Sequence, residues 1–207
     1  GSQVFEVGAF ARAVEVLAGF AAPFGLAELS VGGGLGVPYV EGESAPSISE
    51  WAAGIRAVCE ASGVTASVSA EPGRAIVAAA AVTLYTVGTI KDLPGIRTYV
   101  AVDGGMSDNP RPVLYGSGYE TFLPRAPAAD RSRPVRVVGK HCESGDLLVR
   151  EGWVPGDLMV GDVLATPVTG AYGHAMGSNY NHVLRPAVVF VADGDAREVV
   201  RRETFED

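Results

Sequence analysis

An α/β segment over residues 1–80 followed by an all-β segment over 81–207 is the architecture that the sequence predicts, and three observations predict it. Apolar residues recur at helical spacing twice within the first 80 positions, each time followed by a short apolar run. After about Ala80 the helical period disappears, and short β-rich runs separated by Gly, Pro and Asp turns take over. The 27 glycines and 13 prolines cluster where one pattern gives way to another.

Phe10, Val14, Leu17, Ala21 and Phe24 form the first helical stripe, which Gly25 can close as a C-terminal cap. Leu26 to Val31 reads as a buried strand feeding Gly32-Gly33-Gly34-Leu35-Gly36. Ser47 and Glu50 have the spacing of a capping box, and Ile48, Trp51, Ile55 and Cys59 share the face of a second helix that Gly63 can stop. Thr65 to Ala70 is a second strand, ending in Glu71-Pro72-Gly73-Arg74. Helix, strand, helix, strand is part of a repeating unit whose strands need parallel neighbours to bury both faces.

Two hairpins are expected in the second segment. One joins 81–90 to 98–103 around Asp92, Pro94 and Gly95, and the other joins 185–192 to 197–201 around Asp193-Gly194-Asp195. Further strands at 135–139, 146–150 and 162–165 suggest an antiparallel β-sandwich or barrel.

Composition narrows the function classes. A net charge of -8 disfavours nucleic acid as a partner, and no uninterrupted apolar run approaches the roughly 20 residues that span a bilayer. Cys59 and Cys142 lie far apart without metal-like spacing, so neither a disulfide framework nor a metal site is expected, and a reducing cytoplasm suits the chain.

Chemistry concentrates in loops. Glycines at 32 to 36 let backbone amides approach an anion, although a tight turn has the same composition. Glu71-Pro72-Gly73-Arg74 ends the next strand, and in a (β/α)8 barrel phosphate is commonly bound by the loops after the last two strands. Glu71 suits a protonated ring nitrogen or a solvated turn, and Arg74 suits an anion or a surface ion pair. In the loop from Asp103 to Tyr115, Arg111 can hold a carboxylate in two hydrogen bonds and Tyr115 can add a third, or Tyr115 can pack as core. His141-Cys142-Glu143-Ser144-Gly145-Asp146 sets a thiol among polar neighbours, where Cys142 can move a proton and Glu143 can meet a substrate ammonium. Tyr172, in Gly170-Ala171-Tyr172-Gly173, can reach a phosphate oxygen or pack in the core. Ser178-Asn179-Tyr180-Asn181 continues this polar stretch.

Gly1-Ser2-Gln3, Gly32 to Gly36, Glu71 to Arg74, Asn109 to Tyr115, Cys142 to Asp146 and Ala171-Tyr172-Gly173, in that order, cover nearly the whole chain. Together they resemble the diaminopimelate decarboxylase branch of the fold-type III pyridoxal-phosphate decarboxylases, the family that includes ornithine and arginine decarboxylases. The resemblance implies the C-terminal part of a (β/α)8 barrel followed by a β-domain that carries substrate and dimer-interface loops. It also implies pyridoxal 5'-phosphate as cofactor, with its phosphate bound by Ser2, the loop around Gly34, Gly73, Arg74 and Tyr172, and its ring nitrogen met by Glu71. Arg74, Arg111, Tyr115, Glu143 and Tyr172 would bind substrate. Cys142 would protonate the α-carbon after carbon dioxide leaves, acting across the interface of a homodimer with shared active sites. The Asn109 to Pro112 and Cys142 to Asp146 stretches resemble the diaminopimelate pattern, which makes a second amino-acid head on the substrate the expected feature.

Departures from the family are equally informative. Family members hold the cofactor covalently on a lysine near the start of the barrel, and a histidine directly before the Gly-Ser pair stacks on its ring. Lys91 falls in an expected hairpin and Lys140 beside the thiol motif, so neither matches that lysine. Strands one to five and the cofactor lysine are therefore expected in a missing N-terminal half of the same enzyme, leaving this chain inactive alone, with exposed strand edges and apolar helix faces. Two rival readings are a decarboxylase for another basic amino acid and a non-catalytic decarboxylase-like binding protein.

Overall fold

A computed structural model describes all 207 residues, and the chain divides into two compact units, Gly1–Ala81 and Val82–Asp207.

In the first unit, α1 (Val7–Ala21) runs into a short 3-10 turn that ends at Gly25 in the left-handed conformation, φ 57°. Glycine adopts that conformation without a Cβ penalty, so the glycine closes the 3-10 turn rather than the α-helix itself. β1 (Glu28–Ser30), α2 (Ile48–Ala61), β2 (Ser67–Ser69) and the one-turn α3 (Gly73–Val77) follow. β1 and β2 pair in parallel, and Val4 forms a parallel bridge with Leu35. The capping box of α2 is formed on both sides: Ser47 Oγ accepts from the Glu50 amide at 3.1 Å, and Glu50 Oε2 accepts from the Ser47 amide at 2.8 Å.

Val14, Leu35, Trp51, Ile55 and Cys59 form the core, with Phe10 and Val58 against it. Phe10 meets Trp51 edge-on with 5.6 Å between ring centroids, a geometry that favours the ring quadrupoles. The expected helix faces need correction at both ends. Phe24 is 64% and Ile48 42% exposed, because the chain leaves the helical path after Ala21 and because Ile48 sits at the first position of α2, ahead of the packed turns. The expectation of a buried strand over residues 26–31 also fails: only Leu29 of β1 is buried, and every residue of β2 is exposed. Parallel strands bury both faces only between covering layers, and here Leu29 alone of the six strand residues is buried. Val16 and Phe20, on the outer side of α1, are each 74% exposed.

Val7–Phe24 is also long and apolar enough to cross a membrane by length and composition, with mean hydropathy 1.4 over 18 residues. Arg12 and Glu15 interrupt it, and its Val14 and Ala18 are buried. The packing of Phe10 and Val14 with Trp51 accounts for the apolarity of one face, while most of the helix, including Val16 and Phe20, is exposed.

The second unit is built on a five-stranded sheet in the order β6-β5-β4-β3-β7. Its strands are β3 (Val82–Leu93), β4 (Arg97–Val102), β5 (Arg133–Val138), β6 (Leu147–Val154) and β7 (Val163–Pro167). The first hairpin forms as β3–β4, and β3 is long enough to pair β7 with residues 82–86 and β4 with residues 87–93. The sheet is mixed rather than antiparallel throughout, since β4 and β5 run parallel. Parallel neighbours need a long crossover, and residues 103–132 supply one that carries α4 (Arg111–Tyr115). Tyr85, Val87, Val100, Val102, Val135, Val137, Leu148 and Leu164 are buried on the sheet, together with Leu123 from the crossover. The one-turn α5 (Gly173–Met176) follows β7, and β8 (Val188–Ala192) and β9 (Asp195–Val200) form a separate two-stranded hairpin. Phe190 and Val191 of this hairpin are 61% and 73% exposed.

Candidate functional site

Two groups of residues hold the chemistry, one in each unit. In the first, three backbone segments lie side by side. The Val4 amide donates to Gly34 O at 2.9 Å, the Gly36 amide to Val4 O at 2.9 Å, and the Glu71 amide to Gly32 O at 2.7 Å. This approach explains two of the loop glycines. A Cβ at Gly33 would lie 2.1 Å from Glu71 O, and one at Gly34 would lie 2.4 Å from Gly1 O, on a residue whose φ is +97°. Gly73 differs, because a Cβ there meets nothing within 4 Å.

Arg74 follows at once and is 7% exposed, so the expected alternative of a surface ion pair does not hold. One guanidinium nitrogen donates to Tyr39 Oη at 2.5 Å and the other to Ser2 Oγ at 3.1 Å, while its carbon lies 5.7 Å from the Tyr39 ring centroid. Tyr39, absent from the expected site residues, therefore fixes the arginine. It stands in the short stretch Val37-Pro38-Tyr39-Val40, which has no helical or strand period, so sequence carried no signal for it. Glu71 is exposed, and Ser30 Oγ donates to its Oε1 at 2.6 Å, which orients the carboxylate. A buried guanidinium, a serine hydroxyl and a glycine loop around one strand-end cluster form a donor set that fits a phosphate monoester.

In the second unit, Asp146 joins two loops. It is 3% exposed, and its oxygens accept from the Met106 amide at 2.6 Å and the His141 amide at 2.8 Å. Asp108 braces the same region, accepting from the Gly105 amide at 2.6 Å and from Tyr85 Oη at 2.7 Å. Burial holds the Asp108 carboxyl above its ordinary range, and burial together with Asp108 holds the Tyr85 phenol well above its own. His141 Nε2 lies 2.9 Å from Ser107 Oγ.

This scaffold presents Cys142 and Glu143, both exposed. Tyr180 Oη donates to Glu143 Oε1 at 2.5 Å, and its ring lies 5.4 Å from the His141 ring. The Glu143 hydrogen bond, more than burial, pushes the Tyr180 phenol up. Arg111 is 5% exposed and donates to Tyr119 Oη at 3.0 Å and Ser117 Oγ at 3.1 Å. The Tyr115 ring lies 5.6 Å from the Arg111 guanidinium carbon. Core packing is excluded for both candidate tyrosines, since Tyr115 is 65% and Tyr172 46% exposed. Tyr172 also has φ +67°, which is uncommon for a bulky side chain and typical of functional loops.

Ser2, Gly34, Glu71, Gly73 and Arg74 are thus brought together in the first unit, and Arg111 with Tyr115, and Cys142 with Glu143, in the second. Tyr172, expected beside the cofactor phosphate, belongs to the second unit.

Residues 39–170 match a family model described as pyridoxal-dependent decarboxylase, C-terminal sheet domain, and the chain belongs to that family. Within it, the chain resembles the C-terminal portion of diaminopimelate decarboxylases. It is 49% identical over 215 residues to that of Actinosynnema pretiosum subsp. auranticum and 44% identical over 217 residues to that of Synechocystis sp.. Those alignments cover all of this chain but only 48% and 46% of the relatives. The structure of the Helicobacter pylori diaminopimelate decarboxylase complexed with L-lysine superposes with a TM-score of 0.87 at 31% identity, covering 100% of this chain and 51% of that one. The chain spans about half the length of the curated relatives it matches.

Proposed function

We propose that this chain is the C-terminal portion of a cytoplasmic pyridoxal 5'-phosphate enzyme of lysine biosynthesis that decarboxylates meso-diaminopimelate to L-lysine and carbon dioxide. The observation that carries it is the buried Arg74 guanidinium bound to Ser2 Oγ beside the Gly32–Gly36 loop. Residues 1–80 are then the C-terminal part of the cofactor-binding (β/α)8 barrel, and 81–207 the β-domain with the substrate and dimer-interface loops. Ser2, Gly34, Gly73 and Arg74 would hold the cofactor phosphate, joined by Tyr172, with the Ser30-oriented Glu71 toward the ring nitrogen. When bound, the cofactor supplies a protonated ring that accepts the electron pair left by departing carbon dioxide.

The chain's own residues do the rest. Arg111 and Tyr115 hold a substrate carboxylate, Glu143 meets an ammonium, and Arg74 and Tyr172 complete the substrate contacts. Cys142, exposed beside Glu143, returns a proton to the α-carbon of the partner subunit's substrate in a homodimer. Lys91 and Lys140 are exposed in the second unit, on β3 and beside the thiol loop, so the covalent lysine is assigned to the other half of the enzyme.

The test is carbon dioxide release by the complete enzyme from meso-diaminopimelate and from ornithine. Turnover of the first and not the second is expected, and no turnover by this chain alone. Cys142→Ala should lower kcat by about 100-fold or more while leaving cofactor binding in place. Comparable kcat/KM on ornithine would overturn the substrate assignment.

A further inference from the structure

Tyr180 is held by contacts within the chain itself. It stands on a short turn, Tyr180–His182, in which Asn181 and His182 take φ 55° and 58° in succession, both left-handed and neither glycine. Such a turn persists only where its surroundings hold it. Here the Ser178 amide donates to Ser107 O at 2.8 Å, the His182 amide to Asn179 O at 2.8 Å, and Asn179 Nδ2 to Glu203 Oε2 at 2.5 Å. Ser107 in turn contacts His141, whose ring packs at a tilt against that of Tyr180. The phenol is therefore anchored through both its backbone and its ring, and its hydroxyl reaches Glu143 Oε1 at 2.5 Å.

An exposed glutamate otherwise samples many rotamers, and ordering it on ligand binding costs affinity. A carboxylate has acceptor sites on both oxygens, so one hydrogen bond at Oε1 leaves Oε2 for a cation. We propose that Tyr180 is a positioning residue that pre-orders Glu143 to receive the substrate ammonium remote from the reacting carbon. The phenol thereby selects substrates that carry that second amino group. This inference rests on the substrate reading above, in which Glu143 meets an ammonium.

Two measurements test it. In the complete enzyme labelled with 13Cζ-tyrosine, the Tyr180 resonance, assigned through Tyr180→Phe, should titrate above the ordinary phenol pKa of about 10 and move back toward it in Glu143→Gln. A titration that Glu143→Gln leaves unmoved would overturn the coupling. In the complete, cofactor-loaded enzyme, Tyr180→Phe keeps the ring against His141 and removes only the hydroxyl. It should raise KM for meso-diaminopimelate about fivefold with kcat changed less than about twofold, and leave KM for 2-aminopimelate, which lacks the remote amino group, unchanged. Equal effects on both compounds, or an effect confined to kcat, would overturn the positioning role. Absence of turnover of meso-diaminopimelate by the unsubstituted enzyme would sink the substrate reading and with it the ammonium assignment, whereas the titration decides separately whether Tyr180 holds Glu143.

Discussion

Replacing loop glycines by alanine separates Gly33 and Gly34, which permit backbone contact, from Gly73, which no neighbour approaches. At Gly34 the new methyl would lie 2.4 Å from Gly1 O, and alanine would have to hold φ +97°. A left-handed or neighbouring conformation costs a non-glycine residue about 1–3 kcal/mol, and forcing a methyl into packed backbone costs about 1–3 kcal/mol more. Gly34→Ala is therefore expected to destabilise by about 2–6 kcal/mol, a large share of the roughly 5–15 kcal/mol of a typical domain. Gly33→Ala, whose methyl would meet Glu71 O at 2.1 Å without a positive φ, should cost about 1–3 kcal/mol. Gly73→Ala meets nothing within 4 Å at the first position of α3, where alanine is the better helix former, so it should be neutral or stabilising by up to about 1 kcal/mol. Urea unfolding followed by tryptophan emission in a Trp153→Phe background isolates Trp51, which is 2% exposed in the first-unit core. A midpoint for Gly34→Ala within error of the parent would refute the close-approach argument. Weaker pyridoxal phosphate binding by Gly73→Ala without loss of stability is the expected companion result, since Gly73 is among the residues proposed to hold the cofactor phosphate.

Cys142 is exposed whereas Cys59 is 6% exposed, its thiol pushed up by burial and by Glu60, so a disulfide reagent should modify one thiol per native chain and the second only on unfolding. Simultaneous reaction of both would contradict the packing of α2. The Asp108 carboxyl has a folded-state pKa above its unfolded value, so the stability it contributes is fully present below the ordinary value of about 3.9 and is lost as pH rises through the raised native value. Asp108→Asn should flatten that part of the Tm against pH curve, and an unchanged curve would refute the assignment.

Local rules made much of the fold legible. The Ser47 and Glu50 pair announced the start of α2, Gly25 and Gly63 marked stops, and both β-hairpins follow from turn residues between β-branched runs. The order of the motifs made the family legible as well. These features depend on residues close in sequence or on side-chain chemistry that a motif preserves. Tertiary structure decided what depends on distant partners. The parallel pairing of β4 with β5 follows from where the 103–132 crossover returns the chain, and no local period encodes that. Arg74 reads equally well as a surface ion pair until its burial and the hydroxyls of Tyr39 and Ser2 are seen around it, and no local pattern encodes the burial of Arg111 against Tyr119 and Ser117. Tyr180 reads as one aromatic in a polar loop, and only folding carries its hydroxyl across 37 positions to Glu143. The sequence by itself thus determined which chemical groups are present and the short elements that carry them. The burial and pairing that give those groups their roles arise from contacts between residues far apart in the chain, which only the tertiary structure brings together.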